Sequence, residues 1–141
     1  MKYYLGPLLF LFIFSINSFA QEEDEKEKIR KTVQLYFDGM IDRDKSKLDQ
    51  AFLPLARLIG YRGDQLTITS YEEWSSGTAN GDKREKSKYK NELVSIRIEG
   101  NIALAESELY WPGIYYYDFL TLIKIEGIWK IVHKSWTEKR I

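Results

Sequence analysis

The sequence predicts an α+β domain with helices packed on an antiparallel sheet. Two observations carry this. From Ile29 the apolar residues Val33, Tyr36, Phe37, Met40 and Ile41 recur at steps of three and four, which places them on one helical face. From Tyr89 onward four β-type runs follow one another, separated by Gly100-Asn101, Pro112-Gly113 and Glu126-Gly127. Connections that short force neighbouring strands to be antiparallel.

The chain opens on a different pattern. Lys2 is followed by the uninterrupted apolar run Leu8–Phe14, and Ser18-Phe19-Ala20 is a small-x-small cleavage pattern. This is the layout of a secretory signal peptide over residues 1–20, with the domain at 21–141. Asn17 and Ser18 end the run before it is long enough to span a bilayer, so no stable membrane insertion is expected after cleavage. The expected destination is the periplasm or the exterior.

Glu22–Glu25 suit the positive end of a helix dipole and lead into the first helix. Asp42-Arg43-Asp44 breaks its periodicity. Leu48, Ala51 and Phe52 predict a short second helix over Lys45–Phe52, stopped near Pro54. Arg57–Arg62 and Gln65–Thr69 form a hairpin around Gly63-Asp64. Ser70, with Glu73 three residues on, is a capping box that opens a short helix carrying Trp74. The polar stretch Gly77–Lys88 is expected to be an exposed loop. The strands are Tyr89–Glu99, Ile102–Trp111, Ile114–Ile125 and Ile128–Thr137.

The last two strands are apolar on both faces. Strict alternation places Ile128, Val132 and Trp136 on one face, with Trp129, Ile131 and His133 on the other. A sheet apolar on both sides needs two covers, which predicts a homodimer.

Composition excludes several kinds of chemistry. The 141 residues include no cysteine and one histidine. Disulfides, thiolate nucleophiles and multi-histidine metal sites are therefore ruled out, and no cofactor or metal is expected. The 21 basic and 21 acidic side chains balance, and loss of Lys2 with the signal leaves 20 against 21, a side-chain sum of −1. Nucleic acid is not an expected partner. The basic stretch Lys83–Lys88 is short and reads as a solvated loop.

Two segments carry a resemblance. In VQLYFDGMIDRDKSKLDQAFLPLARLIG the positions are Tyr36, Gly39, Asp44, Phe52, Pro54 and Ala56. In YYDFLTLIKIEGIWKIVHKSW they are Asp118, Leu120, Leu122, Lys124, Gly127, Trp129, Lys130, Ile131 and Lys134. Together they resemble the nuclear transport factor 2-like superfamily, in the branch of putative lumazine-binding proteins near the SnoaL-like polyketide cyclases and ketosteroid isomerases. The resemblance implies a cone-like fold with helices packed on a strongly curved antiparallel sheet and a pocket between them. It also implies the isomerases' constellation of a helix tyrosine, a protonated aspartic acid and an aspartate base. Carried onto this chain, the tyrosine falls on Tyr36, the base near Gly60 and the second acid near Thr121. A glycine and a threonine cannot fill the last two roles, so no catalytic set is assigned.

The expected pocket residues are Tyr36, Met40, Trp74, Tyr117, Phe119, Thr121 and His133, suited to a small apolar or aromatic ligand. Asp118 alternates away from Tyr117 and Phe119 and is expected to pair with Lys134. Asp42 and Asp44 read as solvated charges at a helix end. The first functional expectation is an exported small-molecule-binding protein. The alternatives are an enzyme using Tyr36 and His133 as an acid–base pair, which needs the two to converge, and a dimeric protein-interaction module with a filled pocket.

Overall fold

The computed structural model describes residues 8–141. Lys2, the basic start of the leader, lies outside the described residues. The elements in order are α1 (Leu8–Asp42), α2 (Lys45–Ala51), β1 (Phe52–Arg62), β2 (Gln65–Ser70), α3 (Tyr71–Thr78), β3 (Lys90–Glu99), β4 (Ile102–Trp111), β5 (Ile114–Ile125) and β6 (Ile128–Arg140), with one 3-10 turn at Lys86–Lys88. No helix of the described residues is long and apolar enough to cross a membrane.

Helix α1 runs unbroken through Ala20-Gln21, yet none of the residues from Phe19 to Lys28 is buried and Ile29 is the first that is. From there Ile29, Val33, Tyr36, Phe37 and Met40 enter the core. Each such side chain contributes roughly 1.5–3 kcal/mol on burial. The ion pairs Lys26–Glu22 and Lys28–Asp24 on its exposed side, both 2.7 Å, are screened by solvent and contribute little. The apolar face therefore holds α1 in place. Its end is a left-handed turn at Arg43 (φ 53), closed by the Asp44 N–H donating to the Gly39 carbonyl at 2.9 Å. Asp44 then caps α2, its side chain accepting from the Ser46 and Lys47 amides, and Asp42 pairs with Lys47 at 2.6 Å. Gly39 is required here: a Cβ would stand 2.6 Å from Leu48 Cδ2, so its absence lets α2 close against α1.

The six strands form one sheet in the order β2-β1-β6-β5-β4-β3. Four junctions are antiparallel, but β1 and β6 run parallel. The expected all-antiparallel sheet is corrected on this point, because the chain leaves β1–β2 for α3 and three more strands before β6 returns beside β1. β1 also starts earlier than expected, at Phe52 rather than Arg57. Its pairing with β6 is irregular between Phe52 and Arg57. Pro54 sits in that interval, where a missing amide hydrogen costs no ladder bond.

The inner face of the sheet packs against the helices through Ala105, Leu109, Leu120, Leu122, Trp129 and Ile131. The alternation of β6 is broken once. Ile131 pairs with Leu122 but His133 pairs with Thr121, so Val132 is an inserted residue. Beyond this bulge the faces exchange. Lys134 and Trp136 join Trp129 and Ile131 on the inner face, and His133 turns outward. The strict alternation expected for this strand is corrected by that single residue.

Candidate functional site

A cavity of about 480 Å³ opens between the inner face of the sheet, α3 and the end of α1. Its size falls within the range of small-molecule sites. Trp74 on α3, Trp111 on β4, Tyr116 on β5 and Trp136 on β6 supply aromatic wall. Arg62, Arg84 and Lys134 supply cationic groups, and Glu73 one carboxylate.

The deepest polar feature is a buried triad. Tyr36, from α1, donates its hydroxyl hydrogen to Asp118 Oδ2 at 2.7 Å. Lys134 Nζ donates to the Tyr36 oxygen at 2.6 Å and lies 3.4 Å from Asp118 Oδ2. Asp118 is fully buried and Lys134 is 7 % exposed. The Lys134 ammonium also stands 5.0 Å from the centroid of Tyr36, 5.4 Å from that of Trp74 and 5.5 Å from that of Trp136. These rings offer it cation–π attraction in place of water. Burial draws the Lys134 pKa below its ordinary value, with Asp118 opposing. Burial, and then the Asp118 charge and hydrogen bond, hold the Tyr36 phenol well above its usual range. Tyr36 is accordingly a fixed hydrogen-bonding group rather than a proton shuttle near neutral pH. Asp118 Oδ1 and its cross-strand neighbour Ser107 Oγ are buried without a hydrogen-bond partner among the described residues.

Aromatic packing fixes the wall behind the triad. Tyr36, Phe52, Tyr71 and Trp74 form one cluster, with Phe52 stacked on Tyr71 at 5.1 Å. Tyr71 donates to Asp49 at 2.5 Å, tying α3 to α2. The Ser70 side chain caps α3 by accepting from the Glu73 amide, as the capping box predicts. On the other side, Trp111 donates its indole N–H to Asn91 at 2.9 Å, and the Arg84 guanidinium lies 4.9 Å from its ring. Arg84 also donates to the Met40 carbonyl at the end of α1.

The structure divides the residues expected at the pocket. Met40 and Trp74 line the cavity. Tyr36 lies behind its wall, touching it through Lys134. Tyr117, Phe119, Thr121 and His133 lie on the opposite face of the sheet. The alternation along β5 is as expected, but its inward set is Tyr116, Asp118, Leu120 and Leu122. Phe119 is 44 % exposed, and Tyr117 donates to Glu106 on the outer face. His133 is carried outward by the Val132 bulge, so Tyr36 and His133 do not converge.

The acid beside Tyr36 is Asp118, three residues before the expected Thr121, and it pairs with Lys134, its diagonal neighbour on the inner face of β6. At Gly60 a Cβ would stand 2.3 Å from Trp136 Cδ2 and 2.4 Å from its carbonyl oxygen. Trp136 occupies the space in which a base at position 60 would stand. Among the described residues no group of three His, Cys, Asp or Glu side chains is placed to hold a metal.

Sequence reasoning missed Arg62, Thr67, Arg84, Trp111, Tyr116 and Trp136 as cavity residues. Parity along β5 would have found Tyr116 once Asp118 was taken as inward. Nothing local marks Arg84, which reaches the site from a loop.

The family model described as putative lumazine-binding matches residues 24–137. No curated protein sequence matches the chain. Among solved structures, an NTF2-like protein of unknown function from Silicibacter pomeroyi is similar at TM-score 0.76 and 24% identity, covering 84% of this chain and 98% of that one. One from Shewanella baltica is similar at 0.75 and 24%, covering 84% and 96%. The association domain of CaMKII from C. elegans is similar at 0.67 and 12%, covering 82% and 97%. At these identities the likeness establishes the fold.

Proposed function

The chain belongs to the putative lumazine-binding family, and from that premise we propose that it is an exported small-molecule-binding protein of the nuclear transport factor 2-like fold. The observation that supports binding most is the cavity itself: about 480 Å³ with Trp74, Trp111, Tyr116 and Trp136 in its wall. A plugged cone would instead have favoured a pure interaction module. Export rests on the leader pattern of residues 1–20 and on the lack of buried side chains between Phe19 and Lys28.

Binding is preferred over catalysis on geometry. The inner face offers a phenol held by Asp118 and Lys134, a glycine at position 60 and no histidine. Proton transfer needs a group that can take up and release a proton beside the substrate, and the isomerase-like set lacks its base. Native mass spectrometry of the protein purified from its own host tests the reading. A co-purified organic molecule of a few hundred daltons is expected; protein of bare chain mass throughout would count against it.

The same protein is proposed to be a homodimer through the outer face of the sheet. Phe119, Tyr61 and Tyr110 are exposed there, at 44, 50 and 38 %. The CaMKII relative is named an association domain, so the fold is compatible with self-assembly.

A further inference from the structure

Resting on the binding reading above, we infer that the ligand is a planar organic anion, its ring held among the tryptophans and its negative group set against Arg84. Three cationic side chains line the cavity. Two already have carboxylates: Lys134 has Asp118 at 3.4 Å and Arg62 has Glu138 at 3.7 Å. Arg84 has none within ion-pair distance among the described residues. Its backbone amide and one guanidinium nitrogen are spent on the carbonyls of Ile41 and Met40. The rest of the fork lies between the rings of Trp111 and Tyr89, 4.9 and 6.0 Å from their centroids, and borders the cavity.

The second observation is the neighbour of Arg84. Arg43 is close enough to oppose its charge, and burial and Arg43 together lower the Arg84 pKa. Arg43 is tied to the carbonyls of Thr78 and Asn80 and, among the described residues, has no carboxylate partner either. Its Nε is buried without a hydrogen-bond acceptor among those residues. Among the described residues these two guanidinium groups are compensated by carbonyl dipoles and, at Arg84, by Tyr89 and the Trp111 ring, with no carboxylate. An anion on Arg84 would relieve that repulsion and supply the charge-assisted hydrogen bonds for which the guanidinium fork is shaped. Glu73, the only carboxylate in the cavity wall among the described residues, is held by Thr69 on β2 at 2.9 Å. This disfavours an anion at that wall and leaves Arg84 as its place.

The remainder of the wall specifies flatness. Trp74, Trp111, Tyr116 and Trp136 present ring surface, and a planar ligand gains from offset or edge contacts with such rings. A carboxylate, or the delocalised anion of an acidic heterocycle, on an aromatic body meets both requirements.

The test is a fluorescence titration of the full-length protein after export, using tryptophan quenching as the readout. The probes are 2-naphthoate, its neutral isostere 2-naphthalenemethanol, the cation 2-naphthylmethylammonium, and acetate as an anion without a ring. Naphthoate is expected to bind about tenfold or more tighter than the alcohol, the fold-change of one charge-assisted hydrogen bond. The ammonium and acetate are expected to bind weakest. Arg84→Gln should abolish the preference for naphthoate over the alcohol, and Arg84→Lys should keep most of it. The pair separates lost charge from a damaged α1 terminus. Equal binding of acid and alcohol, or tighter binding of the ammonium, overturns the anion inference while leaving the binding reading intact. Failure of every probe, including the alcohol, overturns both.

Discussion

Lys134 carries a charge into the interior of the protein. Its ammonium is buried with Asp118 and Tyr36, and removing one partner of a buried ion pair strands the other charge. Lys134→Met should therefore cost about 3–5 kcal/mol of stability. The double change Lys134→Met with Asp118→Leu removes both charges and should recover most of that loss. Urea unfolding of the two single variants and the double variant closes the cycle. Additive losses would show that the pair is not coupled. The sequence makes the partnership legible, since Asp118 and Lys134 fall on adjacent strands in compatible register. It hides the direction in which the pair points. Residue-scale reasoning treats Tyr117, Phe119 and Thr121 as the inward set because they are apolar or neutral. The protein instead buries the charged residue between them, because Lys134 and Tyr36 neutralise and hydrogen-bond it.

At the scale of elements, Glu25 joins Thr32 and Tyr36 in tying α1 to the sheet. One of its carboxylate oxygens accepts from the Trp129 indole at 2.7 Å and from Lys124 at 3.1 Å. Hydrogen bonds from Lys28, then from Trp129, and further from Lys124, hold the Glu25 carboxyl down to about 2 against burial, which acts upward. The folded-state pKa is depressed, so the stability it contributes is complete above the unfolded value of 4.5 and is lost as pH falls toward 2. Thermal unfolding followed from pH 6 to pH 2 should show this acid limb, and Glu25→Gln should flatten it. An unchanged limb in the variant would remove Glu25 from this role. Most elements are legible: α3 from its capping box, and four hairpins from their glycine turns. The β5–β6 turn pairs Glu126 (φ 50) with Gly127 (φ 81), the backbone a two-residue hairpin demands. Two irregularities are not legible. The Val132 bulge moves Lys134 and Trp136 to the cavity face and His133 away from it, and no local residue preference announces an inserted residue. The early start of β1 across Pro54 depends on β6, which lies far along the chain.

For the whole molecule, two surfaces compete for the name of functional site, and sequence alone merges them. The inner face carries the cavity. The outer face carries Phe119 and the tyrosines, with Tyr110 and Tyr115 donating to Glu108 at 2.9 and 2.8 Å. The apolar character of both faces is visible in the sequence and motivates the dimer proposal. Phe119→Lys should yield a light-scattering mass of one chain where the parent protein gives two. A parent protein of single-chain mass at micromolar concentration would refute the dimer. The cavity residues Arg62, Thr67 and Arg84 are contributed by a hairpin and a loop whose positions only the assembled fold defines, which is why chain-order reasoning does not find them.

The central claim is that the cavity under α3 takes up a small molecule. Gly77 lines it, and a Cβ there would meet nothing within 4 Å. Gly77→Phe should therefore fold without a Cβ clash and set a ring at the cavity wall, where it competes with a bound molecule. Native mass spectrometry of the parent and Gly77→Phe proteins, both purified from the original host and compared side by side, tests the claim most directly. A small organic adduct on the parent and none on the variant is the predicted result; the same adduct on both, or on neither, would contradict it.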